Sequence, residues 1–242
     1  GSHIKYVYLP EETGFRPGRE LLQELTADTD MLFVANPNNP TGLALTESAI
    51  DAFLAKIPRD CIVVLDEAYC HYLAPEERTD SLKWVKEYAN VVVTRTFSKA
   101  YGLAGLRSGF ALAQPALIEM LNRIRPPFNM NTAAQAAAAA CIDDAVFLER
   151  VYKENRAGVE TLETFFKEQE IRYLPTTANF VLAQTGPKTA ELNTELLKRG
   201  VIVRPVKSYG LPDWLRVSVG TARENARFIE AFQAARKALG LI

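Results

Sequence analysis

The sequence predicts an α/β protein: a mostly parallel sheet flanked by helices, followed by a separate C-terminal α+β portion. Three observations carry this. Short apolar runs at 31–35, 61–65 and 91–94 are the continuous stretches expected of buried parallel strands. Helical periods and helix-stopping prolines lie between and after them. Beyond Glu170 the pattern changes to short strands and helices in the order β-β-α-β-β-α, which reads as an independent α+β unit. The boundary is placed within a long helix, giving portions 4–145 and 146–242.

The elements follow in order. Residues 4–9 alternate and read as a short strand, 15–18 as a turn and 19–25 as a short helix. After the strand at 31–35, the stretch Asn36 to Gly42 carries two prolines and a glycine and reads as a loop. Thr46 and Glu47 open a helix whose apolar period runs through Ile50, Phe53, Leu54 and Ile57, and Pro58 stops it. The strand at 61–65 ends at Asp66. An irregular stretch with one short helix at 82–88 leads to the strand at 91–94, and 108–113 is another strand. Pro115 opens a helix to 125, which Pro126-Pro127 breaks. Asn131 or Thr132 starts an alanine-rich helix to 142. Asp143 or Asp144 caps a long helix to 169, with Phe147, Val151, Tyr152, Val159, Leu162, Phe165 and Phe166 close to a 3.6-residue period. Strands at 171–174, 179–183, 201–204 and 214–219, and helices at 192–199 and 224–239, complete the chain.

Composition excludes several classes. The 242 residues are 48% hydrophobic and 24% charged, enough for a sizeable core. With 28 basic and 29 acidic residues there is no basic excess to draw nucleic acid or an anionic membrane. The longest near-uniform run of small apolar residues, 133–141, is too short to span a bilayer, and no secretory signal is expected at the N-terminus, where Gly1-Ser2-His3 reads as an expression scar. Cys61, Cys70 and Cys141, with His3 and His71, lack metal-ligand spacing, so no metal site is expected and the implied compartment is reducing and cytoplasmic. Cys61 and Cys141 read as inert core residues, and His71 as a packing or surface residue. Neither G-x-x-x-x-G-K-[ST] nor G-x-G-x-x-G occurs, which argues against a nucleotide-binding module.

The chemistry concentrates just past the strand at 91–94. Thr96, Ser98 and Lys99 lie beyond its C-terminal end, where open α/β sheets bind ligands, and Arg107 follows eight residues after the lysine. Two hydroxyls, backbone N–H groups and an arginine suit a phosphate. A lysine beside a phosphate-anchored ring suits a Schiff base.

That stretch is accompanied by Asn36-Pro-Asn-Asn-Pro-Thr-Gly42, Val63-Val-Leu-Asp66-Glu67-Ala-Tyr69 and Leu215-Arg216-Val-Ser-Val-Gly220. The four motifs, in this order, resemble the fold-type I pyridoxal-phosphate aminotransferases, and within them the histidinol-phosphate aminotransferases. The resemblance implies the fold of that family's large domain plus its small domain. It implies pyridoxal 5'-phosphate bound to Lys99, and a buried carboxylate at Asp66 beside the pyridine nitrogen. Tyr69 and Asn39 then donate to the phenolate oxygen, and Thr96, Ser98 and Arg107 hold the phosphate. Arg216 clamps a substrate carboxylate, Arg204 lies near a substrate phosphate, and Asn179 lies near the substrate. Glu67 is given no catalytic role. The partners implied are a small-molecule amino donor, glutamate, a keto acceptor, imidazole-acetol phosphate, and a second copy of the chain. An aromatic amino-acid aminotransferase and a threonine-phosphate decarboxylase are the alternatives on the same scaffold. Only the later part of the family pattern is matched, so a catalytically inactive portion of the fold is the alternative of another class. The chain alone is expected to hold cofactor loosely and transaminate poorly.

Overall fold

The computed structural model describes residues 3–11, 14–15 and 19–242, without the side chains of 19 and 20. Residues 16–18 of the expected turn, and Gly1-Ser2, lie outside the described residues. The chain divides into two compact units, Gly1–Asn38 with Ala44–Arg150, and Asn39–Leu43 with Val151–Ile242.

The first unit contains α1 (Arg19–Gln23), β1 (Met31–Ala35), α2 (Glu47–Leu54), β2 (Ile62–Asp66), α3 (Leu82–Glu87), β3 (Val91–Thr96), β4 (Gly109–Ala113), α4 (Pro115–Ile124), α5 (Thr132–Cys141) and the start of α6 (Ala145–Glu168). Its sheet runs β1-β2-β3-β4, with β1, β2 and β3 parallel and β4 antiparallel to β3. The β-branched runs explain the parallel part. Val63, Leu65, Val91 and Val93 alternate into a core shared with Ile50, Phe53 and Leu54 of α2 and the fully buried Trp84 of α3. Trp84 satisfies its indole N–H by donating to Asp51 Oδ1 at 2.6 Å. The link from β3 to β4 contains no crossover helix, and Arg107 turns left-handed at φ 56°. That reversal makes the fourth strand antiparallel.

Residues 4–9 form no strand. Their alternation is real, but Ile4, Tyr6 and Tyr8 are 76%, 75% and 65% exposed, and no strand edge pairs with the segment.

The second unit holds the rest of α6, then β5 (Tyr173–Leu174), β6 (Phe180–Gln184), α7 (Thr189–Lys198), β7 (Arg204–Val206), β8 (Leu211–Ser218) and α8 (Ala222–Ala238). Its antiparallel sheet runs β5-β6-β8-β7. One face, with Val181, Ala183, Leu215 and Val217, packs on Leu162, Phe165 and Phe166 of α6 and Phe228 and Phe232 of α8. β7 begins only at Arg204, later than expected. Val201 instead closes α7, donating to the Leu196 carbonyl at 2.9 Å after Gly200 turns at φ 73°. A capping box between Thr221 and Glu224 starts α8 at Ala222. Among the described residues no helix is long and apolar enough to cross a membrane, and no three His, Cys, Asp or Glu are grouped to hold a metal ion.

Candidate active site

In the first unit the candidate residues stand at the C-terminal ends of β2 and β3. Asp66 closes β2 opposite Thr94 of β3. Its Oδ1 accepts from the Ala68 N–H at 3.0 Å. The carboxylate is exposed among the described residues, not buried as the resemblance implies, and it stands at the last position of β2. Tyr69 is 7% exposed, and its ring lies under the Lys99 ammonium, 5.4 Å from Nζ to the centroid. Lys99 itself is exposed, so its amine is open to a small molecule.

β3 runs to Thr96, two residues past the expected end, so Thr96 closes the strand and its hydroxyl holds the loop that follows. Thr96 Oγ1 accepts from the Ser98 N–H at 3.0 Å and donates to the Ser108 carbonyl at 3.4 Å. Arg107 Nη1 donates to Ser98 Oγ at 3.4 Å and to the Ala104 carbonyl at 2.9 Å. Thr96, Ser98 and Arg107 are thus brought into one hydrogen-bonded chain, with the exposed guanidinium and a hydroxyl as adjacent donors for an anion.

Behind this group lie residues to which the sequence reading gave little. His71 Nε2 is 3.2 Å from the Tyr101 hydroxyl, and its Nδ1 is 3.4 Å from Cys70 Sγ. Burial, then the charges of Arg95 and Arg78, push the His71 imidazole down to about 4, so it is neutral at physiological pH. Burial pushes the Cys70 thiol up to about 11 and keeps it protonated. Glu67 is buried and paired with Arg95.

In the second unit Arg216 is the centre. Its Nη1 donates to Asn39 Oδ1, and its guanidinium lies over the Phe180 ring at 4.8 Å. Arginine only donates, so the amide end of Asn39 facing it is the oxygen, and Nδ2 is the end left to donate elsewhere. The 39–43 loop reaches this unit through Gly42, whose carbonyl accepts from the Thr177 N–H and hydroxyl, each at 2.9 Å. In the β7–β8 ladder Arg204 stands directly opposite Arg216, on the face away from the helices. Asn179 precedes β6, and its carbonyl accepts from the Val219 N–H at 2.9 Å. Phe180 was not foreseen, yet it shares a sheet face with Leu182 and Arg216, which two-residue alternation could have shown.

The comparisons agree in kind. The model of the family Aminotransferase class I and II matches residues 3–232. Histidinol-phosphate aminotransferase 2 of Ralstonia nicotianae is 49% identical over 244 residues, covering 95% of this chain and 65% of that protein. Histidinol-phosphate aminotransferase 1 of Cupriavidus pinatubonensis is 51% identical over 216 residues, covering 88% and 57%. The solved structure of histidinol-phosphate aminotransferase from Sinorhizobium meliloti in complex with pyridoxal-5'-phosphate superposes with a TM-score of 0.81 at 28% identity, covering 87% of this chain and 58% of that one. The chain thus spans less than two thirds of the length of these relatives. With the α/β fold and the residue set at its strand ends, the match over nearly its whole length means that this chain belongs to the class I and II aminotransferases.

Proposed function

We propose that the chain takes part in pyridoxal-phosphate-dependent transamination between glutamate and imidazole-acetol phosphate, the histidinol-phosphate step of histidine biosynthesis, in the cytoplasm and as a homodimer. The observation that carries this is the first-unit group: an exposed amine over the Tyr69 ring, a carboxylate at the adjacent strand end, and a guanidinium with hydroxyls in one chain. The identity to two histidinol-phosphate aminotransferases supports the substrate.

These residues match the chemistry of the cofactor. Pyridoxal phosphate, when bound, supplies an aldehyde for amino-group exchange and an electron-withdrawing ring. Lys99 would hold it through its amine and would serve as the proton carrier at the substrate Cα. Asp66 would keep the ring nitrogen protonated. Tyr69 and the Nδ2 of Asn39 would donate to the phenolate oxygen. Thr96, Ser98 and Arg107 would take the phosphate. Arg216 binds a substrate carboxylate, Arg204 a substrate phosphate, and Asn179 adjoins the substrate. Two arginines directly opposite in a ladder repel each other, and an anionic substrate relieves that. The second copy of the chain finds support in exposed apolar side chains: Met120, Leu121 and Ile124 on α4, and Phe128 just after it.

The test separates the two arginines. Arg216→Ala raises the glutamate KM or slows its half-reaction while cofactor affinity holds. Arg204→Ala harms the phosphorylated acceptor more than glutamate, by about 2 kcal/mol or more in kcat/KM. Equal effects on both substrates refute the phosphate role.

A further inference from the structure

Glu67 and Arg95 lie in the first unit, on the opposite side of the sheet from Asp66 and Thr94. Asp66 pairs with Thr94 in the parallel β2–β3 ladder, and alternation turns the next residues, Glu67 and Arg95, together to the other face. Beyond that rung the Glu67 N–H donates to the Thr94 carbonyl at 2.9 Å. Side chains then continue the joint. Arg95 gives Glu67 Oε2 both Nε, at 2.9 Å, and Nη2, at 2.8 Å. The buried Ser81 hydroxyl donates to Glu67 Oε1 and accepts from Arg95 Nη2 at 3.1 Å. The Glu67 side chain is 7% exposed and that of Arg95 25%. Farther along, Tyr101 and His71 tie the same two segments, their rings edge to face at 4.9 Å. Residues 67 and 71 of one segment are therefore braced to 95 and 101 of the other. Asp66 and Tyr69 on the first segment, and Lys99 on the second, alternate with these braces.

A buried ion pair is a poor means of stabilising a fold, since apolar side chains of similar volume often do as well or better. Its advantage is a fixed geometry. We propose that Glu67 and Arg95, joined through Ser81, are positioning residues that set the Lys99 segment against the Asp66 segment without touching the cofactor. This rests on the roles of Lys99 and Asp66 proposed above.

The test uses the 242-residue chain with pyridoxal phosphate. Borohydride trapping and peptide mapping give the share of pyridoxyl on Lys99. The pH midpoint of the cofactor's visible absorbance and the melting temperature are measured alongside. The parent chain carries the label on Lys99. Glu67→Ala lowers that share by about tenfold or more, within the roughly hundredfold that a 1 Å misplacement of reacting groups can cost, and moves the absorbance midpoint. Glu67→Gln, whose one carbonyl oxygen still accepts from Arg95 while its amide N–H can donate to the Ser81 hydroxyl oxygen, recovers most of both. Arg95→Lys keeps the charge but loses the fork, so it shows the same loss and carries the test if Glu67→Ala does not fold. Folded Glu67→Ala or Arg95→Lys protein with parental labelling and midpoint, whatever its melting temperature, overturns the proposal. A parental label on a different lysine overturns the Lys99 reading itself.

Discussion

Replacing His71 by glutamine should flatten the acid limb of the stability curve. The folded-state imidazole is pushed down to about 4 from the ordinary 6.5, first by burial and then by the charges of Arg95 and Arg78. A depressed histidine pKa means that, between these values, the unfolded chain holds a proton that the folded chain refuses. Stability therefore rises with pH across this window: the loss begins as pH falls below about 6.5 and is complete below about 4. The gap between 6.5 and about 4 corresponds to an upper bound of about 3–4 kcal/mol, and partial exposure of the ring trims this toward about 2. Glutamine offers the Tyr101 hydroxyl both an acceptor and a donor, so the hydrogen bond at 3.2 Å has a replacement in either direction and the difference isolates the proton. Urea unfolding of both proteins at half-unit steps from pH 4 to 7 gives the two slopes. Carboxylates titrating in the same range contribute equally to both and cancel. Parallel slopes would show that His71 is protonated in the folded chain, refuting the reasoning.

Gly42→Ala should destabilise the second unit. At φ 74° a Cβ would stand 2.0 Å from Thr176 Oγ1, so strain and overpacking together cost about 2–4 kcal/mol, read by urea unfolding. Arg107→Ala should weaken cofactor binding by about 2 kcal/mol or more, as loss of a charge-assisted phosphate contact does, read as a shift in an absorbance titration; unchanged affinity would remove Arg107 from the phosphate site.

What was legible in the sequence was what neighbouring residues encode. Short apolar runs marked β1, β2 and β3, and spacing placed Ser98 and Lys99 just past a strand end, although β3 extends two residues farther than expected and takes in Thr96. Arg107 was legible as a phosphate candidate, but not as the left-handed residue that turns β4 antiparallel, since φ above zero is unusual for arginine. The alternation at 4–9 misled because period two records a pattern and not the presence of a partner edge. The late start of β7 followed from a helix cap that drew Val201 away from the sheet. Alternation points Glu67 away from Asp66, but it does not reveal the partner Arg95, 28 residues distant, which only the β2–β3 register brings to the same face. Asp66 was expected buried from its role, whereas its exposure depends on what roofs the strand end, which no local pattern records.

The most direct measurement is which lysine takes the cofactor. The chain is mixed with pyridoxal phosphate, reduced with borohydride, digested and mapped. The account predicts a pyridoxyl group on the peptide containing Lys99, lost in Lys99→Ala together with any transamination. A label spread over surface lysines, or centred on another one, would contradict it.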